Sequence, residues 1–189
     1  MWNNIIKPTL VLFIVCAVIA GALAYVNGVT QEIIEARTQQ EQEQFRKEVM
    51  AEADRFVKIE KEGMPDKIAG VYEAYRNDTI VGYVMDVTVK GYGGAMKLTV
   101  GVNINGQVTG VVIGDNNETP GLGSKAKDPG FTEQFKEVTT DNTLNVVKQN
   151  KKSADEIQAI SGATITSRAV TGGVQAALDS VKLITEGGN

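Results

Sequence analysis

An uncharged apolar segment near the N-terminus constrains the fold of this chain more than any other feature. Residues 9–26 read TLVLFIVCAVIAGALAYV and contain no charged side chain. As an α-helix with a rise of about 1.5 Å per residue, the segment is roughly 27 Å long, close to the thickness of the hydrocarbon core of a bilayer. We therefore predict a transmembrane helix over residues 9–26.

The charges on either side of this segment predict its orientation. Lys7 precedes the segment, and Glu32 and Glu35 follow it. By the positive-inside rule, we expect a single-pass protein of the cell membrane, with residues 1–8 in the cytoplasm and the rest on the extracytoplasmic side. A cleaved signal peptide is the alternative, because residues 22–24 (Ala-Leu-Ala) have the form of a cleavage site. The weakly charged N-terminus and the length of the apolar segment favour a retained anchor.

The next part of the chain has the composition of a solvated helix. Residues 31–62 are rich in Glu, Gln, Lys and Arg and contain no Pro or Gly, which favours a helix. A Gly-Met-Pro sequence at residues 63–65 ends it, so we predict a helical stalk over residues 27–65. Four apolar residues of this stalk recur at helical spacing: Phe45, Val49, Ala53 and Phe56. They predict an apolar stripe that packs on the following domain or on a partner protein.

Residues 66–189 have the pattern of one α+β domain. Apolar and polar residues alternate over residues 71–76, 79–90, 97–103 and 107–113, and Asn105-Gly106 is a strong hairpin signal. Near the C-terminus the apolar residues recur instead at helical spacing: Val170, Val174, Ala177, Leu178 and Val181. We predict an antiparallel sheet of at least four strands covered by helices.

Composition limits the chemistry that this domain can perform alone. The formal net charge is −4, with no basic block, which argues against nucleic acid as a partner. The chain contains no His, which excludes His-ligated haem and His acid–base catalysis. The single cysteine, Cys16, lies in the apolar segment, so the chain cannot supply the four Cys ligands of an iron–sulfur cluster. Any redox chemistry therefore needs an organic cofactor.

Two short motifs are candidates for holding such a cofactor. Residues 161–167 read SGATITS and precede the final helix, where free amide groups and the helix dipole favour an anion such as phosphate. A Ser/Thr helix cap without a ligand is the alternative. Residues 118–123 read ETPGLG, in which two glycines let the backbone approach a flat ring. A surface Gly/Pro loop is the alternative here, and a simple turn is favoured for the GYGG sequence at residues 91–94.

The SGATIT sequence resembles the flavinylation motif of FMN-binding domains in the Rnf and Na+-pumping NADH:quinone oxidoreductase families, and GYGG and ETPGLG precede it in the family order. The resemblance implies FMN attached through a phosphoester bond to Thr166. It implies further contacts with the cofactor from two groups of residues. They are Ser161, Gly162, Ala163 and Thr164 near the acceptor, and Glu118, Thr119, Gly121, Leu122 and Gly123 in the other loop. Lys125, just after that loop, is a candidate to pair with the phosphate or the flavin, and a solvated Lys is the alternative.

The G subunit of the Rnf complex (RnfG) is the family member that this chain resembles most. The resemblance implies a covalent-FMN electron carrier in a membrane complex that couples ferredoxin:NAD+ electron transfer to Na+ or H+ translocation. It also implies the other membrane and peripheral subunits as partners, and an ApbE-type flavin transferase that attaches the FMN. The C subunit of the Na+-pumping NADH:quinone oxidoreductase is one alternative. A membrane-anchored sensing or assembly module without redox function is the other.

Overall fold

The computed structural model describes residues 5–186, so residues 1–4 of the predicted cytoplasmic segment and residues 187–189 lie outside the described part. The chain divides into two compact units between residues 42 and 43. Helix α1 (Lys7–Val49) forms the described part of the first unit and continues into the second. Its segment Lys7–Gln31 is long and apolar enough to cross a membrane, and its most apolar window is not buried within the protein. The predicted N-terminal apolar helix is thus present.

The second unit contains an antiparallel five-stranded sheet in which neighbours in sequence are neighbours in space. The strands are β1 (Arg55–Ile59), β2 (Ile68–Arg76), β3 (Thr79–Lys90), β4 (Ala95–Asn103) and β5 (Val108–Ile113). Asn77 and Asp78 have φ values of 47° and 62°, which suit the tight turn between β2 and β3. The predicted turn at Asn105-Gly106 joins β4 to β5, and Gly106 has a φ of 79° there. The α+β prediction is confirmed.

The prediction of a helix over residues 31–62 is wrong beyond Val49. Strand β1 lies within that range and pairs with β2, with Arg55 opposite Tyr75 and Ile59 opposite Val71. The Asp54 amide donates to the Tyr75 carbonyl oxygen at 2.7 Å, where the pairing begins. Long-range pairing with a neighbouring strand outweighs the weak helix propensity of these residues, because propensities amount to less than about 1 kcal/mol per residue.

One face of the sheet is covered by the C-terminal helix α3 (Thr164–Glu186). The five apolar residues predicted for its inner face are all buried: Val170, Val174, Ala177, Leu178 and Val181. Gly173 allows the close approach, because a Cβ atom there would lie 2.6 Å from Leu98 Cδ1 and 2.8 Å from Val89 Cγ1. The main hydrophobic core therefore lies between this helix and the sheet.

The opposite face of the sheet is covered by the end of α1. Val49, Met50 and Ala53 form a second buried cluster with Ala74 and Val84. The predicted stripe is confirmed only in part: Val49, Ala53 and Phe56 pack on the domain, but Ala53 and Phe56 lie beyond the end of α1 and so are not on a helix. A nearly buried ion pair lies beside this cluster, with Arg46 Nη2 2.7 Å from Asp86 Oδ2.

Short elements connect β5 to α3. They are helix α2 (Pro129–Thr132), flanked by 3₁₀ turns at Gly123–Lys127 and Glu133–Glu137, and the parallel strand pair β6 (Asn145–Val147) and β7 (Glu156–Gln158). Phe131 and Phe135 anchor this segment in the main core, with their rings edge to face. The connection places the loop after β5 beside the first turn of α3.

Candidate functional site

The candidate site is a cleft where three sequence-distant segments meet. It is about 550 Å³ in volume, within the range of small-molecule and cofactor sites. Its lining comes from the β3–β4 turn, the loop after β5 and the start of α3: Tyr92, Glu118, Thr119, Leu122, Gly123 and residues 162–166. A larger groove of about 660 Å³, beside Lys67 and Arg168, contains none of the predicted site residues. The chemistry-bearing motifs converge on the smaller cleft.

Thr166 lies in the first turn of α3, and its side chain faces the cleft. The residue is only 1% exposed. Its hydroxyl Oγ1 donates a hydrogen bond to Glu118 Oε2 at 2.7 Å, across 48 positions in sequence. The two motifs predicted to hold a cofactor are therefore joined directly by their side chains.

The backbone before Thr166 is shaped by Ser167 rather than by Ser161. The Ser167 hydroxyl accepts from the Ile160 amide at 3.0 Å and donates to the Ala163 carbonyl at 2.9 Å. The Ser167 amide donates to that same carbonyl at 3.0 Å. The amides of residues 164–166 come before this hydrogen bond, in the first turn of α3. At this end of a helix, free amide groups and the helix dipole favour an anion.

Glu118 is buried, and its carboxylate connects the β3–β4 turn to the start of α3. Its Oε1 accepts from the Gly93 amide at 3.0 Å, while its Oε2 accepts from Thr166. Gly91 and Gly123 flank the carboxylate so closely that a Cβ atom on either would overlap it. The predicted turn at residues 91–94 is present, with the Gly91 amide donating to the Gly94 carbonyl at 2.8 Å. Its second role, fixing Glu118, is not visible in the sequence.

Apolar side chains surround the mouth of the cleft. Tyr92, Leu122 and Ile165 all line it while remaining 70%, 42% and 56% exposed, respectively. Gly162 has a φ of 76°, and a Cβ atom there would lie 3.0 Å from Leu122 Cδ2, so the two loops touch at this point. Exposed apolar groups around a polar interior are suited to a flat aromatic ligand with a charged end. Ile165 is not among the predicted site residues, because its sequence context is that of an ordinary helical residue.

Three predicted site residues lie outside the cleft lining. Lys125 is exposed in the 3₁₀ turn after the loop and lines a separate groove with Asp128 and Phe131. Ser161 is exposed just before the cleft-lining residues. Gly121 shapes the loop with a φ of 77°, and its amide donates to the Ser124 hydroxyl at 2.9 Å.

The remaining predicted residues are brought together. They are Glu118, Thr119, Leu122, Gly123, Gly162, Ala163, Thr164 and Thr166. The described lining of the cleft contains Glu118 but no Lys or Arg, so the groups in it that favour an anion are the backbone amides and the dipole of α3. Within residues 5–186, no cluster of three or more His, Cys, Asp or Glu side chains is arranged to hold a metal ion.

Comparison with protein families matches two parts of the chain. Residues 91–179 match the FMN-binding domain, and this range includes both loops of the cleft and Thr166. Residues 1–49 match the RnfG N-terminal region, and this range includes the apolar segment. The two matches together leave only residues 50–90 and 180–189 outside a family model.

Curated relatives match over almost the whole chain. One is the G subunit of the Na(+)-translocating ferredoxin:NAD(+) oxidoreductase complex of Acetobacterium woodii, which is 39% identical over 92% of this chain and 89% of its own. Another is the G subunit of the proton-translocating ferredoxin:NAD(+) oxidoreductase complex of Clostridium ljungdahlii, which is 37% identical over 98% of this chain and 96% of its own.

A solved structure shares the fold. The C subunit of the Na(+)-translocating NADH-quinone reductase of Parabacteroides distasonis has a TM-score of 0.50 and is 26% identical, covering 59% of this chain and 62% of its own.

Proposed function

Because the chain belongs to the RnfG family, the G subunits of Rnf-type ion-translocating ferredoxin:NAD(+) oxidoreductase complexes, we propose that it carries electrons through an FMN bonded covalently to Thr166. The observation that carries this proposal is the position of the Thr166 hydroxyl. It lies in the cleft formed by the FMN-binding domain, at the start of a helix. Electron transfer in such a complex is coupled to translocation of Na+ or H+.

The residues of the cleft fit the two ends of FMN. A phosphate esterified to Thr166 Oγ1 would be next to the amides of residues 164–166 and the positive end of the α3 dipole. Tyr92, Leu122 and Ile165 supply apolar surface for the isoalloxazine ring. FMN, when bound, supplies one- and two-electron redox chemistry. Thr119 and Gly123 complete the wall of the cleft.

A covalent bond suits a domain on the extracytoplasmic side. Lys7 precedes the apolar segment, and no Lys or Arg follows that segment until Arg37, which supports a cytoplasmic N-terminus with a retained single-pass anchor. A cofactor lost from the outer side of the membrane is separated from the cytoplasmic flavin pool, and an ester bond prevents that loss. An ApbE-type flavin transferase supplies the FMN moiety from FAD. The other membrane and peripheral subunits of the complex are the electron-transfer partners.

Flavin fluorescence of denatured protein tests the proposal. The full chain, expressed together with a flavin transferase, should show a fluorescent band at its own mass on a denaturing gel. Thr166→Val should abolish the band, because it removes only the acceptor hydroxyl. Thr164→Val is the matched control and should keep the band, since it removes a hydroxyl two positions away in the same cleft.

A band that persists in Thr166→Val, or that disappears only in Thr164→Val, would contradict Thr166 as the acceptor. A wild-type chain that stays dark beside a transferase that labels another substrate would favour the sensing or assembly module.

A further inference from the structure

The hydrogen bond between Thr166 and Glu118 bears on how the flavin becomes attached. On the premise that Thr166 is the FMN acceptor, as proposed above, we propose that Glu118 is the general base that removes the Thr166 hydroxyl proton during FMN transfer. An alcohol is a weak nucleophile unless an adjacent base takes its proton. Glu118 Oε2 already accepts that proton in a hydrogen bond of 2.7 Å, within the distance required of a general base.

The packing around Glu118 holds its carboxylate next to the Thr166 hydroxyl. The Gly93 amide holds the other oxygen, Oε1, at 3.0 Å. Gly91 and Gly123 leave no room for a Cβ atom beside the carboxylate. The side chain is 7% exposed, so it keeps one orientation. A base that must meet its proton at hydrogen-bonding distance requires this type of placement.

The charges around Glu118 favour a reactive role over a purely structural one. In the described part of the chain, the ion pairs involve other carboxylates, and none joins Glu118 to a Lys or Arg. Its two hydrogen-bond donors are neutral, namely a hydroxyl and a backbone amide. Once Thr166 carries a phosphodiester, an ionised Glu118 would face a like charge and lose its hydroxyl donor. Transfer of the proton to Glu118 removes that negative charge when the ester forms.

The proposed step balances without an oxidant or reductant. Thr166 Oγ1 attacks the phosphorus of the FMN moiety of FAD, which the transferase presents. The Oγ1–P bond forms, and the P–O bond of the pyrophosphate that joins this phosphorus to AMP breaks. AMP leaves with the electron pair of that bond, and the hydroxyl proton passes to Glu118. The products are the flavinylated chain and AMP.

The test is the rate of flavin transfer to the purified full chain in detergent, with purified flavin transferase and FAD. For Glu118→Gln we expect the turnover rate at saturating chain to fall about 100-fold or more, the usual contribution of a general base. The KM for the chain should change little, because the recognition surface is retained.

Glu133→Gln is the matched control, since it makes the same chemical change at an exposed position in the turn after α2. It should transfer at the wild-type rate. A Glu118→Gln variant that turns over at the wild-type rate would place the base on the transferase and overturn the proposal. A wild-type chain that gains no flavin at Thr166 would instead overturn the proposed function.

A second variant keeps the test decisive if Glu118→Gln fails to fold. Glu118→Asp retains a carboxylate but shortens its reach by one methylene, so we expect a turnover rate below that of the wild type with an unchanged KM for the chain. Where both variants fold, the Asp variant should be the faster one. A folded Asp variant as fast as the wild type would contradict the proposal, because the 2.7 Å placement would then have no effect.

Discussion

Two largely buried carboxylates, Asp86 and Glu118, have opposite surroundings in this domain. Asp86 is paired with a cation: Arg46 Nη2 lies 2.7 Å from its Oδ2, and the Thr99 hydroxyl donates to its Oδ1 at 3.3 Å. Glu118 accepts hydrogen bonds only from neutral groups among its described donors, Gly93 and Thr166. The first arrangement is suited to holding the structure together, and the second leaves a carboxylate that can accept a proton.

The location of each carboxylate agrees with this difference. The Arg46 guanidinium also lies over the ring of Tyr72, 3.7 Å from its centre. The Arg46–Asp86 ion pair therefore helps to hold the end of α1 against the face of the sheet opposite α3. Glu118 instead lies in the cleft between loops. Removing one partner of a buried ion pair lowers the stability of the fold, whereas in the proposed mechanism a change at Glu118 slows flavin transfer. Burial alone therefore does not mark a carboxylate as a candidate for chemistry, whereas its hydrogen-bond and charge partners do.

The largest effect on stability is expected at the ion pair. Arg46→Met should lower the free energy of unfolding by about 3–5 kcal/mol, because it leaves Asp86 uncompensated in a largely buried position. Denaturation of the full chain in detergent, followed by circular dichroism, measures this change. The double variant Arg46→Met/Asp86→Leu should recover part of the loss. A loss below about 1 kcal/mol in the single variant would contradict a structural role for the pair.

A smaller effect on stability, but a specific one on the site, is expected at Gly123. A Cβ atom there would overlap the Glu118 carboxylate and lie 2.9 Å from Thr166 Oγ1. Gly123→Ala should cost about 1–3 kcal/mol as an overpacked substitution and should slow flavin transfer.

Gly130→Ala is the control for Gly123→Ala, because a Cβ atom at Gly130 would meet nothing within 4 Å. It should leave both stability and flavin transfer close to those of the wild type. Equal flavin transfer by the two variants would show that the placement of Glu118 is unimportant.

The smallest effect concerns Tyr72, beside the ion pair. Burial, followed by the negative charge of Asp86, raises the pKa of the Tyr72 hydroxyl above its usual value of 10.0. A raised folded-state pKa means that the neutral tyrosine stabilises the fold below about pH 10 and that this contribution is lost as the pH rises through the folded pKa.

Tyr72→Phe keeps the ring under Arg46 but removes the titrating group. Between about pH 9 and pH 11, the variant should therefore lose less stability than the wild type does. Tyr75 and Tyr83, whose pKa values are also raised, remain in both proteins and cancel in the difference. Parallel pH profiles for the two proteins would contradict this role of Tyr72.

Local signals in the sequence were sufficient for much of the fold. The Asn105-Gly106 turn and the inner face of α3 depend on neighbouring residues, so they could be predicted. Strand β1 could not, because Arg55–Ile59 becomes a strand only through pairing with β2, which follows later in the chain. The helix propensity of the surrounding Glu and Lys residues pointed to the wrong element.

The candidate site, like the fold, could be predicted from the sequence only in part. The motifs at residues 118–123 and 161–167 identify the residues of the cleft, but they do not show that Glu118 bonds to Thr166 across 48 positions. Nor does the sequence show that the GYGG turn supplies an amide to that carboxylate. Lys125 has the charge expected of a phosphate ligand, yet its place in the 3₁₀ turn directs it to another groove. Contacts between distant segments decide these points.

Peptide mass mapping shows whether Thr166 carries the proposed flavin. Full-length chain matured with a flavin transferase is digested with trypsin, which releases residues 153–168 (SADEIQAISGATITSR) as one peptide. We expect this peptide to carry the added mass of one FMN residue, and fragmentation to place that mass on Thr166. An unmodified peptide from fully matured protein, or FMN on any other residue, would contradict the account.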